Sequence, residues 1–405
     1  MVTLRNMRSN RAIGSPRRGV WRHKSGRHLR NTVILSSVAL ILVALYCLGS
    51  AIVLMLARET TSPELAAQLQ ERHGGLYGPV TDDSIFAYKL ERYTLRQPEV
   101  LIVGSRRLAA LPGEAFSGSV YNAAGAANSL GQLTAFVRQA VAVHPPKSIL
   151  IGLDYWWFNP SMESAPQPPS SSPASSPASS PGYAAQLLDP FLWLITGKIS
   201  PRAIAAALLP SGDGTASIGA LAVLNGEGWD AYGRYDNGRH PSGGAYMPAG
   251  VDDVRIGPSS KSMAQLNALI AELSGQSIEV LFMLPPIAPP MRSALAKDPE
   301  NRLIPLWSDA IRSLGQRVFD FQDAVALGAT ECEFVSDIAA GEVAFLRTLD
   351  AISNFGGTYF SQAIDRDMVT SLIGSNAEHV RLAELLPADA PAEALFRHDS
   401  CDKDR

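Results

Sequence analysis

Short runs with apolar interiors, separated by amphipathic stretches, set the pattern of this chain. Residues 99–104 (Glu-Val-Leu-Ile-Val-Gly) and 148–154 (Ser-Ile-Leu-Ile-Gly-Leu-Asp) are the clearest of these runs. Neither alternates polar with apolar, so each reads as a strand covered on both faces. Between them, 112–128 reads as loop and about 129–144 as a helix, capped by Asn128 or Ser129 and ended by His144-Pro-Pro146. Met263, Leu266, Leu269, Ile270 and Leu273 mark the apolar face of a helix over 261–274, and 278–284 is a third strand that Pro285-Pro286 stops. A helix near 301–314 and a short strand at 317–321 complete the series. The alternation predicts an α/β fold, a three-layer, doubly wound, mostly parallel sheet. Ligands of such sheets bind outside the carboxyl ends of the strands, which is where a site is expected.

Residues 31–57 break this rhythm. They run without a charge and are rich in Leu, Val, Ile and Ala. A helix of that length spans roughly 40 Å at about 1.5 Å per residue, enough to cross a hydrocarbon core of about 30 Å. A cleaved signal peptide would have an apolar region of about 7–15 residues followed by small residues; this one is longer and ends in Met55-Leu-Ala-Arg58. The expectation is one uncleaved transmembrane helix, with the lipid bilayer as a partner.

Charge sharpens that reading. The net charge of −3 conceals nine Lys and Arg between Arg5 and Arg30 with no acidic residue before Glu59, which leaves 26 basic against 38 acidic residues for the remainder. By the positive-inside rule the basic tail, 1–30, stays in the cytoplasm and the acidic body is exported. A nucleic-acid partner is not expected, because the basic residues abut the span and topology already explains them. Residues 58–97 read as a juxtamembrane helical segment, 98–385 as the main domain and 386–405 as a tail. Within the domain, 164–182 holds a Ser/Pro/Ala insertion that cannot bury enough surface to order itself. The apolar runs 187–195 and 203–209 are each too short to span a bilayer and read as helices packing on the sheet, or as a membrane-facing lid. Cys47 lies in the span; Cys332 and Cys401 either pair outside the cytoplasm or stand as two thiols. The histidines are scattered, so no metal and no cofactor are expected.

Several strings resemble the membrane-anchored branch of the SGNH (GDSL-like) hydrolase superfamily, over roughly residues 98–375. They are Val-Leu-Ile-Val-Gly-Ser-Arg-Arg107, Tyr121-Asn-Ala-Ala-Gly-Ala-Ala-Asn-Ser129, Gly152-Leu-Asp-Tyr-Trp-Trp-Phe-Asn159, Tyr232-Gly-Arg-Tyr235, Leu284-Pro-Pro286 and Asp337-Ile-Ala-Ala-Gly-Glu-Val343. The resemblance implies a flavodoxin-like sheet and acyl transfer, with a serine nucleophile, a histidine base, an aspartate orienting it and an oxyanion site of a Gly and an Asn. It also implies an association with surface-polysaccharide acylation or assembly, hence a polysaccharide or acylated glycan and a membrane acyltransferase as partners.

Carried onto this chain, the machinery is incomplete. The second serine of the family's Gly-Ser-Ser-Arg aligns with Arg106, leaving Ser105 as the only hydroxyl, one residue early. Gly125 matches the oxyanion glycine, while the asparagine aligns with Asp154 unless Asn122 or Asn128 substitutes. Asp337 stands in place, yet three residues later Ala340 replaces the histidine; His240 is an alternative base from another loop. Each candidate has a plainer reading beside it. Ser105 satisfies a strand-to-helix turn, and Asp337 caps a helix beginning near Gly341. Arg106 and Arg107 bind an anionic group such as uronate, phosphate or pyruvate, or pair with neighbouring carboxylates. Asp154 with Tyr155, Trp156, Trp157 and Phe158 recognises sugar, or is core and rim packing. Arg234, Tyr235 and Asp236 read as a shaped turn. The function expected is to act on or bind an exported polysaccharide, as an atypical esterase or acyltransferase or as a glycan-binding relative; the alternative is a non-catalytic scaffold for a membrane acyltransferase or assembly complex.

Overall fold

The computed structural model describes residues 24–79, 85–161, 217–237, 257–299, 301–385 and 401. The insertion at 164–182, the apolar runs at 187–195 and 203–209, His240, and the tail apart from Cys401 lie outside them. The chain divides into two units, Met1–Ile52 and Val53–Arg405.

In the first unit helix α1 (Lys24–Leu56) begins and runs on across the boundary. Its stretch Arg30–Leu56 has a mean hydropathy of 2.7, long and apolar enough to cross a membrane. Helices α2 (Pro63–His73) and α3 (Ile85–Arg96), both in the second unit, lie within 58–97, the stretch read as one juxtamembrane segment.

The second unit is organised by five parallel strands: β1 (Val100–Gly104), β2 (Val120–Ala124), β3 (Ser148–Gly152), β6 (Glu279–Leu284) and β7 (Arg317–Asp320), in the order β2-β1-β3-β6-β7. The intervening β4 (Glu227–Trp229) and β5 (Tyr235–Asn237) form an antiparallel hairpin, as do β8 (Phe334–Ser336) and β9 (Ala339–Ala340). Strand side chains divide between two cores as a period of two requires. Val100, Ile102, Leu150, Leu281 and Met283 face one, with Val343, Leu346 and Leu349 of the helix Glu342–Phe355. Leu101, Val103, Ile149, Ile151 and Phe282 face the other, with helices α4 (Leu130–Val143), Ser260–Ser274 and Leu303–Arg312. Helices therefore cover both faces of the sheet.

Two features depart from the sequence reading, and for the cysteines the structure takes one of the two alternatives left open. The expected loop 112–128 contains β2, an edge strand whose Val-Tyr-Asn-Ala-Ala run has weak strand character alone and is held by register pairing with β1. The helix after Asp337 is capped by Gly341, and Asp337 instead sits in the turn of the β8–β9 hairpin. Cys332 and Cys401 are joined in a disulfide, with Cα atoms 5.9 Å apart.

Candidate functional site

From β1, next to the edge, the chain goes to one side for β2 and to the other for β3, so the switch point lies between the carboxyl ends of β1 and β3. Gly104 and Gly152 end those strands. A Cβ on Gly104 would come within 3.0 Å of the Gly152 carbonyl, and one on Gly152 within 2.4 Å of Leu108 Cδ1. Two glycines therefore make room for the buried Leu108 side chain beneath the crevice.

Ser105 is the N-cap of a single turn of tight helix, Arg106–Leu108. Its Oγ accepts a hydrogen bond from the Arg107 backbone N–H at 3.2 Å. Among the described residues no imidazole is hydrogen-bonded to Ser105. His144 caps the far end of α4, just before the amino end of β3. Ala340, in the position the resemblance gives to a histidine, is buried in β9.

Arg107 occupies the centre of this edge. It is 3% exposed, and its guanidinium donates to Asp154 Oδ1 at 3.1 Å, Ile338 O at 2.7 Å, Pro285 O at 3.2 Å and Pro286 O at 2.8 Å. Four of its five N–H donors are thereby spent on the ends of β3 and β6 and on the β8–β9 turn. Trp156 lies 5.5 Å from the guanidinium carbon, measured to its ring centroid. Asp154, 1% exposed, forms the other half of the ion pair. Burial pushes its carboxyl pKa up, opposed by the Arg107 charge and the nearby Ser105 hydroxyl.

Arg106 points to the other side of the turn. Its guanidinium carbon is 4.7 Å from the Tyr235 ring centroid and 5.7 Å from that of Trp229, and the residue is half-buried. Gly125, with φ +82°, fits against this aromatic shelf, since a Cβ there would meet Trp229 at 2.6 Å. Its N–H is donated to Gly104 O at 3.0 Å, so the amide that the resemblance gives to an oxyanion already holds the chain end of β1. Asn122 is likewise engaged: Nδ2 donates to Leu108 O and Oδ1 accepts from Ala124 N. Asn128 is exposed, and its N–H donates to Gln132 Oε1 while Ser129 caps α4.

The structure thus brings Ser105, Arg106, Gly125, Asp154 and Trp156 to one edge of the sheet. The turn carrying Asp337 reaches the same edge, since Ile338 accepts from Arg107 and the Asp337 carbonyl accepts from Ala288 N at 2.9 Å. The Asp337 side chain is exposed.

The β4–β5 hairpin is the element sequence reasoning underrated. Arg234 donates to Asp230 Oδ2 at 3.1 Å and to Glu342 Oε1 at 2.9 Å, while Arg381 donates to Asp236 Oδ1 at 2.7 Å. Under the Trp229 ring lies a fully buried amine, Lys89 Nζ, 3.7 Å from the centroid and hydrogen-bonded to Asn122 O at 3.0 Å and Gly233 O at 2.6 Å. Burial pushes that amine well below its ordinary pKa. No sequence signal singles out Lys89, one cation among several on α3. Among the described residues no three His, Cys, Asp or Glu side chains converge to hold a metal.

No family model, curated protein or solved structure matches this chain.

Proposed function

We propose that this chain is a single-pass membrane protein with its basic tail in the cytoplasm and its α/β body exported, an SGNH-like scaffold that binds a surface polysaccharide without performing acyl transfer. The segregation of positive charge before Arg30–Leu56 supports the orientation, and the Cys332–Cys401 disulfide suits an oxidising compartment.

One observation carries the non-catalytic reading: the Arg107 guanidinium, locked to Asp154 and three carbonyls, fills the crevice between the ends of β1, β3 and β6. Acyl transfer needs a hydroxyl beside a base and donors aimed at an oxyanion. Here the hydroxyl of Ser105 accepts a backbone bond, the aligned carboxylate of Asp154 repels an oxyanion, and the Gly125 amide is taken. What the edge does present is the half-buried Arg106 beside the half-buried Tyr235 ring, with Trp229 buried beneath them, a cation–aromatic pair suited to a glycan.

The test is capture of surface polysaccharide from the producing cell by the full-length protein in nanodiscs. The reading expects retention of glycan by the wild type, weakened at least tenfold in Arg106→Gln. Release of an acyl group from the polymer by the wild type, absent in Ser105→Ala, would overturn it.

A further inference from the structure

Tyr235, the half-buried ring beside Arg106, is joined to the end of the apolar helix by a short run of backbone pairings. Ala57 O accepts from Gly219 N at 2.8 Å, and Glu59 Oε2 accepts from Ala220 N at 2.7 Å. Ile218 pairs with Tyr77, Tyr77 with Trp229, and Trp229 with Tyr235 across the β4–β5 hairpin. Hydrogen-bonded neighbours stand about 5 Å apart and successive Cα atoms about 3.8 Å, so this path bounds the distance from Ala57 to Tyr235 at roughly 25 Å. All of these residues belong to the second unit.

Side chains stiffen the path. Gln70 Nε2 on α2 donates to Trp229 O at 2.8 Å and to Gly75 O at 2.9 Å, and Arg92 Nη2 on α3 donates to Ala231 O at 2.8 Å. Ala57, Ile218 and Trp229 are each 1% exposed, so the junction is packed like a core. The two helices that follow Arg30–Leu56 along the chain therefore brace the hairpin that carries Tyr235.

We infer that the glycan taken at Arg106 and Tyr235 is carried on a membrane lipid and is engaged while still attached to it. The inference rests on the glycan-binding reading and names the form in which the glycan arrives.

Position and strength both favour it. Arg58 is the first charge after the uncharged run 31–57, so a hydrocarbon core crossed by that run ends at Arg58 or before it. Tyr235, with the Arg106 guanidinium carbon 4.7 Å from its ring centroid, then stands within roughly 25 Å of the core, a gap that a short oligosaccharide on a lipid headgroup covers. Strength argues the same way, because one half-buried cation–aromatic pair gives a free sugar few contacts. A glycan confined to the bilayer that holds its receptor meets an effective concentration on the order of millimolar, whereas a freed glycan binds from bulk solution. The tether therefore supplies occupancy that the pair alone does not.

Hydrogen–deuterium exchange at residues 227–237 of the full-length protein in nanodiscs tests this. The probes are lipid-linked oligosaccharide extracted from the producing cell and placed in the same disc, the same oligosaccharide freed by mild acid, and the carrier lipid stripped of its glycan. The expected result is half-maximal protection by the lipid-linked probe at a total concentration at least tenfold below that of the freed glycan, with no protection by the bare lipid. Arg106→Gln, shown to be folded by its thermal transition, is expected to raise the half-maximal concentration of the lipid-linked probe at least tenfold. Protection by the freed glycan at an equal or lower concentration overturns the inference while the glycan-binding reading stands. Wild-type protection retained in the folded variant, or equal protection by the bare lipid, overturns the inference by moving the contact off the glycan or off this pair. Absence of protection by either form of the glycan overturns both readings.

Discussion

Arg107 and Asp154 are joined by a 3.1 Å contact between two nearly solvent-free side chains, one following β1 and the other following β3. Taking two charges out of water costs several kcal/mol per ion, and the attraction between them offsets that only when the remaining hydrogen-bonding groups are satisfied. Arg107 meets the condition through its three carbonyl acceptors; Asp154 meets it on one oxygen only. The arginine is therefore the anchor of the edge and the aspartate its buried counter-charge.

Loss of the pair should be costly and asymmetric. Asp154→Ala leaves a buried guanidinium uncompensated and is expected to lower unfolding stability by about 3–5 kcal/mol. Arg107→Met strands an aspartate and three carbonyls together and is expected to cost at least as much, with Asp154→Asn the mildest of the three. Urea unfolding of the full-length protein in detergent, followed by tryptophan fluorescence, measures all three.

Steric closure of the switch point gives a second prediction. In Gly152→Ala the new Cβ would meet Leu108 Cδ1 at 2.4 Å. Overpacking of this kind costs about 1–3 kcal/mol. Leu108→Ala alone opens a cavity and is expected to cost about 2–5 kcal/mol. The double variant should lose less than the two single losses added together, a coupling that a double-mutant cycle by urea unfolding reads directly.

How much of this edge was legible beforehand depended on burial. The strands 99–104, 148–154 and 278–284 announced themselves because both faces are covered and their interiors are apolar, with polar residues confined to or next to their ends. The β2 strand did not, since Asn122 sits in its middle and its side-chain amide is satisfied by Leu108 O and by Ala124 N two residues along the strand. Arg107 read as a surface cation because an arginine's burial depends on distant carbonyls, Pro285, Pro286 and Ile338, that no local pattern reveals. The same holds for Lys89, whose acceptors come from β2 and from the hairpin more than a hundred residues later.

Lys89 also gives the chain a pH signature. Its folded pKa is depressed by burial below the ordinary 10.5, so between the two values the unfolded chain binds more protons and stability rises with pH. Tyr88, Tyr121 and Tyr232 are raised by burial above 10.0 and act oppositely only above that pH, so the Lys89 effect is read below it. Lys89→Met is expected to flatten the rise in stability toward pH 10, measured as the urea midpoint against pH.

The disulfide closes a loop with a sequence separation of 69. By chain entropy it stabilises by up to about 4 kcal/mol. Cys332→Ser and Cys401→Ser are expected to cost similar amounts, the double variant no more than either, and the wild type to migrate faster than all three on a non-reducing gel.

The most direct measurement for the central claim, that a locked arginine has replaced acyl-transfer chemistry at this edge, is intact-mass analysis of the full-length protein after exposure to a fluorophosphonate serine probe. The account predicts no adduct on Ser105, with wild type and Ser105→Ala indistinguishable. A stoichiometric adduct present in the wild type and absent from Ser105→Ala would contradict it.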